Sequence, residues 1–306
     1  ISSSGQVKNC VVALTASKSI SNRALIIQTL CENPIIIKNL STSTDTQGLL
    51  KALKVAGGKV DVADAGTSFR FLASLLSIQK GEFLLTGNER MKQRPIGPLV
   101  DTLRSLGASI EYVGIEGFPP LKITGRKLSG GEVSIDRSLS SQFVSSLLLI
   151  APIFEKGLTL HLEGKSSSDS YLEMTLRMLE NFNIKPERNG DTITIFSGKY
   201  SATQFVVEND WSAASYWYSL CAMNPGSEFR LIGLNENSLQ GDRVVADIMQ
   251  TFGVHTKFEV GSVVISSEAE PQKNNLSEFK YDFSSHPDLV MTIAVLCMAK
   301  NIKGEF

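Results

Sequence analysis

The sequence predicts an α/β protein of two domains, each assembled from a repeated β-α-β-α-β-β unit. Three observations carry that reading. The 306 residues are long enough for two ordinary domains, and 42% hydrophobic with 20% charged residues is the balance of a packed globular chain. An amphipathic helical stretch followed by two alternating strands recurs along the sequence. Between its copies lie more apolar helices, hydrophobic on most faces, which read as centrally buried.

The outer helix with its strand pair is clearest in L-V-D-T-L-R-S-L-G-A-S-I-E-Y-V (99–113) with P-L-K-I-T-G (120–125). It returns as M-T-L-R-M-L-E-N-F-N-I-K-P-E-R with T-I-T-I-F-S-G, and as V-V-A-D-I-M-Q-T-F-G-V-H-T-K-F with S-V-V-I-S-S. G-L-L-K-A-L-K-V-A-G-G-K-V opens the series. The inner helices are expected to begin near Ser21, Ser68, Ser141, Ser212 and Leu289. Three of the four intervals between them are similar and the first is short by roughly 25 residues. The deficit falls near Gly57 to Asp61, where two strands are expected and hardly one is visible. Either the protein is shortened there or a stretch is missing from the sequence. A second break comes at Phe306, just after an inner helix, where a packed repeat should add an outer helix and a strand pair. The chain is therefore expected to be incomplete at both places.

Lys+Arg 30 against Asp+Glu 31 gives a net charge of −1, so no global basic field draws the chain to nucleic acid or an anionic membrane. Anion recognition must be local. Cys10, Cys31, Cys221 and Cys297 are far apart without a C-x-x-C pair, and three histidines accompany them, so neither a zinc site nor a disulfide framework is expected. The longest nearly unbroken apolar run, Leu289 to Ala299, falls well short of the ~20 residues of a membrane helix. I-S-S-S-G-Q-V-K lacks the pattern of a signal peptide. The expectation is a reduced, cytoplasmic, soluble protein.

The informative residues stand where helices begin. In T-A-S-K-S-I-S-N-R-A-L, Lys18 and Arg23 lie at or near a first turn among Ser17, Ser19, Ser21 and Asn22. Cations there oppose the helix dipole at a cost of ~0.3–1 kcal/mol each unless an anion is present. The pattern returns in D-A-G-T-S-F-R-F, where Gly66-Thr67-Ser68 can cap and Arg70 follows, and in E-R-M-K-Q-R-P-I-G-P, with Arg94 before Pro95 at an expected first helical position. Together these helix starts point to one or two phosphate or carboxylate sites. A salt bridge at Lys18, a plain capping turn at Gly66 and a solvated basic loop around Arg94 are the structural alternatives. Before F-V-S-S-L-L-L-I, an N-cap explains one of Ser140, Ser141 and Gln142 but not all three. Asp288 and Asp210 each precede an apolar helix, where an acid is favoured by the dipole alone, so capping and catalysis both fit.

The motif K-S-I-S-N-R resembles the 5-enolpyruvylshikimate-3-phosphate synthase (3-phosphoshikimate 1-carboxyvinyltransferase) family. The resemblance continues in order through A-G-T-S-F-R-F, R-M-K-Q-R-P-I-G-P-L-V-D, G-F-P-P-L-K-I, S-L-S-S-Q-F, N-D-W-S-A-A-S-Y, N-S-L-Q-G-D and H-P-D-L-V-M-T-I-A, nearly the whole chain. It implies an inverse α/β barrel fold with helix N-termini directed at a cleft. One domain would span residues 16–208 and the other residues 1–15 with 209–306, hinged where the chain crosses. The implied reaction moves the enolpyruvyl group of phosphoenolpyruvate to the 5-hydroxyl of shikimate 3-phosphate and releases phosphate, with no metal or organic cofactor, in a monomer.

By that resemblance Lys18 touches both substrates, Ser19 and Arg23 the shikimate part, and Gly66 and Arg94 phosphoenolpyruvate. Ser140, Ser141, Gln142 and Ser168 bind shikimate 3-phosphate, with Gln142 lying between the substrates. Asp288 accepts the 5-hydroxyl proton as the addition forms a tetrahedral intermediate, and phosphate then leaves. Departures from the family's pattern are Thr15-Ala16 in place of Pro-Gly and Ser68-Phe69-Arg70-Phe71 in place of Ala-Met-Arg-Pro, the second bearing on the response to the inhibitor glyphosate. The family's later Lys/Glu/Arg motif, Asp-His-Arg and C-terminal Lys have no counterpart before Phe306, so these 306 residues alone are expected to be nearly inactive. Two other readings stay open. One is UDP-N-acetylglucosamine enolpyruvyl transferase, which usually presents a loop cysteine; the other is a non-catalytic binder of phosphorylated ligands.

Overall fold

The computed structural model describes residues 9–138, 140–165, 169–268 and 276–306. The chain divides into two compact units, Lys18–Val207 and a smaller one made of Ile1–Ser17 with Glu208–Phe306. In chain order, β1 (Asn9–Ala13) belongs to the smaller unit. The larger unit follows with α1 (Lys18–Leu30), β2 (Ile36–Lys38), α2 (Thr44–Ala52), β3 (Gly58–Asp61), α3 (Gly66–Ile78) and β4 (Gly81–Thr86). It continues with α4 (Glu89–Lys92), α5 (Gly97–Ser105), β5 (Ser109–Tyr112), β6 (Leu121–Gly125), β7 (Gly131–Asp136), α6 (Ser141–Ile150) and β8 (Leu158–Glu163). α7 (Asp169–Asn181), β9 (Pro186–Asn189), β10 (Thr192–Ile195) and β11 (Gln204–Val206) complete it. The smaller unit resumes with α8 (Trp211–Met223), β12 (Glu228–Ile232), α9 (Val245–Ile248), β13 (Val254–Glu259), β14 (Ser262–Ser267), β15 (Glu278–Lys280), α10 (Val290–Ala299) and β16 (Lys303–Glu305).

Three sheets share one plan. In the orders β3-β4-β6-β5, β7-β8-β10-β9 and β1-β12-β14-β13, the first two strands are parallel and a hairpin lies antiparallel beside the second. Parallel neighbours need a crossover, supplied by α3 between β3 and β4 and by α6 between β7 and β8, whereas the hairpin needs only a short turn; β1 and β12 are separated in the chain by the whole larger unit. The sheet of β11 and β2 is parallel but stops at two strands. After α2 the chain passes directly to β3, which pairs with β4. The strand at Gly58–Asp61 thus opens the next sheet, and the short repeat has lost its whole hairpin.

The two first strands are exchanged in chain order. β1 precedes α1 in sequence but joins β12, and β11 precedes α8 but joins β2. Within the smaller unit the two crossing passages are held side by side by an antiparallel bridge of Ala16 with Asn209. Ser17 N donates to Glu208 O (2.9 Å) and Asp210 N to Thr15 O (2.9 Å) on either side of it.

The inner helices α1, α3 and α6 are buried along most of their length, because their apolar runs surround the helix rather than forming one stripe. Small hydroxyl residues let them approach closely and satisfy one another. Ser74 Oγ donates to Ser146 Oγ (3.0 Å) between α3 and α6, and Thr175 Oγ1 to Ser145 Oγ (2.9 Å) between α7 and α6. In the smaller unit α8 packs with α10, linked by Ser215 Oγ and Thr292 Oγ1 at 3.0 Å. α10 buries Thr292, Ile293, Leu296 and Cys297 but exposes Met291, Val295 and Met298, so it is not enclosed on all faces.

The expected amphipathic helix in V-V-A-D-I-M-Q-T-F forms only as α9 between tight 3-10 turns at Gly241–Val244 and Met249–Phe252. Its β-branched run of Val244, Val245 and Ile248 lowers helix propensity. Burial of Val245, Ile248, Met249 and Phe252 still serves the apolar pattern. Among the described residues no helix is long and apolar enough to cross a membrane.

Candidate active site

In the larger unit, a series of contacts gathers helix beginnings at one end. Lys18 is the first residue of α1, and its Nζ lies 3.3 Å from the carboxylate of Asp45 in the first turn of α2. Both groups are partly solvated, so the pair contributes only ~0–1 kcal/mol and exchanges readily for another anion. Ser68 in the first turn of α3 donates its hydroxyl to Asp45 O (3.4 Å), and Arg70 lies over the Phe143 ring in the first turn of α6 (5.4 Å).

Gly66 lies at this end, against Arg70 and Arg94. It is the first residue of α3, and Ala65 at the N-cap makes no side-chain cap hydrogen bond, so the expected capping by Thr67 or Ser68 is not formed. A methyl group on Gly66 would meet one guanidinium nitrogen of Arg94 and one of Arg70. Arg70 folds back along its own helix, with NH1 donating to Gly66 O (3.0 Å). Burial lowers the Arg70 pKa to about 10, aided by the like charge of Arg94. Its Nε is buried without a partner, as is Oε1 of Gln142. Two guanidiniums share a helix start with free N–H groups, and neither forms an ion pair among the described residues. This is the arrangement that receives a phosphate or carboxylate.

Arg94 reaches this place differently from the sequence expectation. Pro95 does not begin a helix: α5 starts at Gly97 after Ile96, with Pro98 in its first turn. Arg94 lies in the turn after α4, its N–H donating to Met91 O (3.0 Å). Pro98 supplies the fixed φ that a helix start accepts, which leaves Pro95 to the preceding turn. The basic residue therefore comes from a loop rather than from its own helix start.

Arg23 lies in the second turn of α1 and is almost fully buried. Nε donates to Thr175 Oγ1 (2.8 Å), NH1 to Ser19 O (3.1 Å), and NH2 to Ser145 Oγ (3.1 Å) and Tyr171 O (3.3 Å). The rings of Phe71 and Tyr171 flank it at 5.4 and 5.9 Å. These partners are neutral, and desolvation brings the guanidinium pKa down to about 10. Arg23 thus braces Ser19 while carrying a buried positive charge.

Ser140 caps α6, its Oγ accepting from Gln142 N (3.2 Å), as a plain N-cap would. Ser141 is the first residue of the same helix and Gln142 the second. Ser168 lies outside the described residues. The structure therefore brings Gly66 and Arg94 together, adds Arg70, and places Ser140, Ser141 and Gln142 on the helix whose Phe143 supports Arg70. Arg70 was visible in the sequence only as a helix-start cation; its four-residue spacing from Gly66 is the signal that its side chain reaches back.

The smaller unit holds a second constellation. Asp288 lies in a 3-10 turn, Pro287–Leu289, leading into α10. Asp210 caps α8 through Ser212 N (3.0 Å), while Ser212 Oγ donates to Asp242 Oδ2 (2.5 Å). Burial raises the Asp210 and Asp242 carboxyls, the latter to about 7, with the charge of Asp288 adding to both shifts. Glu208 is likewise raised by burial although Ser238 Oγ and Leu239 N donate to it. Among the described residues no three His, Cys, Asp or Glu side chains are grouped to hold a metal ion.

Comparison with known proteins is consistent in sequence and structure. The family model described as EPSP synthase (3-phosphoshikimate 1-carboxyvinyltransferase) matches residues 3–64 and 56–305. A 3-phosphoshikimate 1-carboxyvinyltransferase of Bacteroides fragilis strain YCH46 is 41% identical over 309 residues, covering 100% of this chain and 74% of the relative. One from Colwellia psychrerythraea strain 34H is 35% identical over 319 residues, covering 95% and 73%. The solved EPSP synthase of Acinetobacter baumannii superposes with a TM-score of 0.78 at 21% identity, over 97% of this chain and 72% of that one, which supports the fold.

The lengths of these alignments bear on the short repeat. The family model matches in two stretches that overlap at residues 56–64, at the short repeat. The Bacteroides alignment spends 309 positions on 306 residues and leaves no room for a missing stretch of that size. The Colwellia alignment spends 319 positions on 95% of the chain and does. Within the aligned span the Bacteroides relative therefore carries no additional stretch of that size. On the family match and these relatives, the chain belongs to the EPSP synthase (3-phosphoshikimate 1-carboxyvinyltransferase) family.

Proposed function

We propose that the protein transfers the enolpyruvyl group of phosphoenolpyruvate to the 5-hydroxyl of shikimate 3-phosphate, with release of phosphate. The observation that carries this reading is the pair of guanidiniums, Arg70 and Arg94, at the uncapped start of α3 beside Gly66. Two cations held together without a carboxylate partner among the described residues favour a dianionic group, and phosphoenolpyruvate brings both a phosphate and a carboxylate. Gly66 lets that group reach the backbone N–H donors.

In this reading Lys18 exchanges Asp45 for substrate anions, and the first turn of α1 with Ser140, Ser141, Gln142 and Ser168 holds shikimate 3-phosphate. Arg23 contributes its buried positive charge and the placement of Ser19. Asp288 accepts the proton of the 5-hydroxyl as the oxygen bonds to C2 of phosphoenolpyruvate and a proton adds to C3, which becomes a methyl group. Elimination then removes a proton from that methyl group and breaks the C2–O bond to phosphate, which restores the vinyl group and releases inorganic phosphate. Cations aimed at the developing phosphate charge each supply several kcal/mol of transition-state stabilisation.

The experiment is phosphate release from phosphoenolpyruvate with shikimate 3-phosphate or UDP-N-acetylglucosamine as acceptor. Release with the first alone is expected. Release with the nucleotide sugar would reassign the substrate, and silence with both while shikimate 3-phosphate binds would favour a non-catalytic binder.

A further inference from the structure

Two sequence motifs, N-D-W-S and L-Q-G-D, remain without a role in the reaction as described. The structure joins them. Trp211 N donates to Gln240 Oε1 (3.2 Å), Gln240 Nε2 to Asn209 O (2.8 Å), and Leu239 N to Glu208 Oε1 (2.9 Å). This stapling carries Asp242 to the start of α8, where its buried carboxyl receives Ser212 Oγ, whose backbone N–H serves Asp210. One turn further on, Ser215 Oγ accompanies Thr292 Oγ1 of α10, and Thr292 is itself one turn beyond Asp288. The starts of α8 and α10 are thus tied together, with Asp210 and Asp242 on one side and Asp288 on the other.

We infer that Asp242 is a positioning residue for the reaction: its buried carboxyl, held by Ser212 at the start of α8, sets the charge beside the start of α10 that carries Asp288. The inference rests on Asp288 as the proton acceptor. Asp242 touches no reacting atom; it acts through its charge and through Ser212. Burial is the main reason it holds a proton near neutrality, and the charges of Asp288 and Asp210 reinforce it.

The other ionisable groups named on the surrounding segments each have partners of their own. Arg243, beside it in the chain, pairs with Asp247 and lies over the Phe258 ring at 5.0 Å. Glu208 is tied to Ser238 and Leu239, and the His286 ring faces Tyr281. Asp210, the remaining acid, has its carboxylate fixed as the cap of α8.

Asp242→Asn keeps an acceptor for Ser212 and removes the ionisation. With a carboxyl that titrates at about 7, wild-type kcat/KM for shikimate 3-phosphate should fall about tenfold between pH 6 and pH 8 from this group. Asp242→Asn should lose that fall. Carboxyl carbon NMR of the wild type should show one aspartate titrating near neutrality that is missing from the variant. Equal falls in both proteins, or no wild-type aspartate titrating above pH ~5, would overturn the inference. Asp288→Asn is measured alongside. Lost turnover there with no change of profile in Asp242→Asn removes only the role of Asp242. Full turnover in Asp288→Asn removes the proton-acceptor reading and this inference with it.

Discussion

Arg23 shows how one side chain serves both fold and site. Its guanidinium spends its donors on α1, α6 and α7 and has no carboxylate partner among the described residues. Replacing it with Met should strand Thr175 and Ser145 and lower unfolding free energy by about 3 kcal/mol, since deleting a buried hydrogen-bonding charge is among the costlier changes. Arg23→Lys keeps a charge but not the fork, and should recover part of the stability and little of the shikimate 3-phosphate affinity. Denaturant titration and calorimetry on both variants check this. Wild-type stability in Arg23→Met would remove the bracing role, and wild-type shikimate 3-phosphate affinity in both would remove the binding role. Lys18 is a contrasting case. The sequence showed its cation at a helix start, but Asp45, its partner 27 residues on, could not be read from local pattern.

At the level of elements, the pH response belongs to the start of α8. Glu208, Asp210 and Asp242 are all raised by burial, so the folded protein binds more protons than the unfolded chain above the ordinary carboxylate range. Stability should therefore fall as pH rises. For Asp242 the window runs from the usual aspartate value to about 7, with a slope approaching 1.4 kcal/mol per pH unit. Asp242→Asn should flatten this slope and raise the urea midpoint at pH 8. An unchanged slope would show that Asp242 is ionised in the fold. Periodicity located α8 and Asp210 in the sequence, yet the burial that raises these acids depends on residues 238–242, which tertiary hydrogen bonds bring into place.

At the level of the whole molecule, the repeat was legible because helix and strand periods alternate, and the missing hairpin was legible as a short interval. The exchange of β1 and β11 was not, because chain order places each strand beside the helix of the other unit. A consequence follows for truncation. Deleting residues 1–13 removes β1 from the edge of the β1-β12-β14-β13 sheet, so amide protection should drop in β12 and α8 while β7, β8 and α6 keep theirs. Loss of protection centred on α1 instead would contradict the exchanged topology. The position of Arg94 was misread for a related reason: two prolines, Pro95 and Pro98, each suited a helix start, and packing of the turn after α4 selected the second.

The most direct test is the affinity for phosphoenolpyruvate, measured calorimetrically with shikimate 3-phosphate saturating, in wild type, Arg94→Ala and Arg70→Ala. Each variant should bind phosphoenolpyruvate at least tenfold more weakly, a loss of about 1.4 kcal/mol or more, with shikimate 3-phosphate affinity within about twofold of wild type. Unchanged phosphoenolpyruvate affinity in both variants, or equal loss of the two ligands, would contradict the guanidinium pair at Gly66 as the phosphoenolpyruvate site.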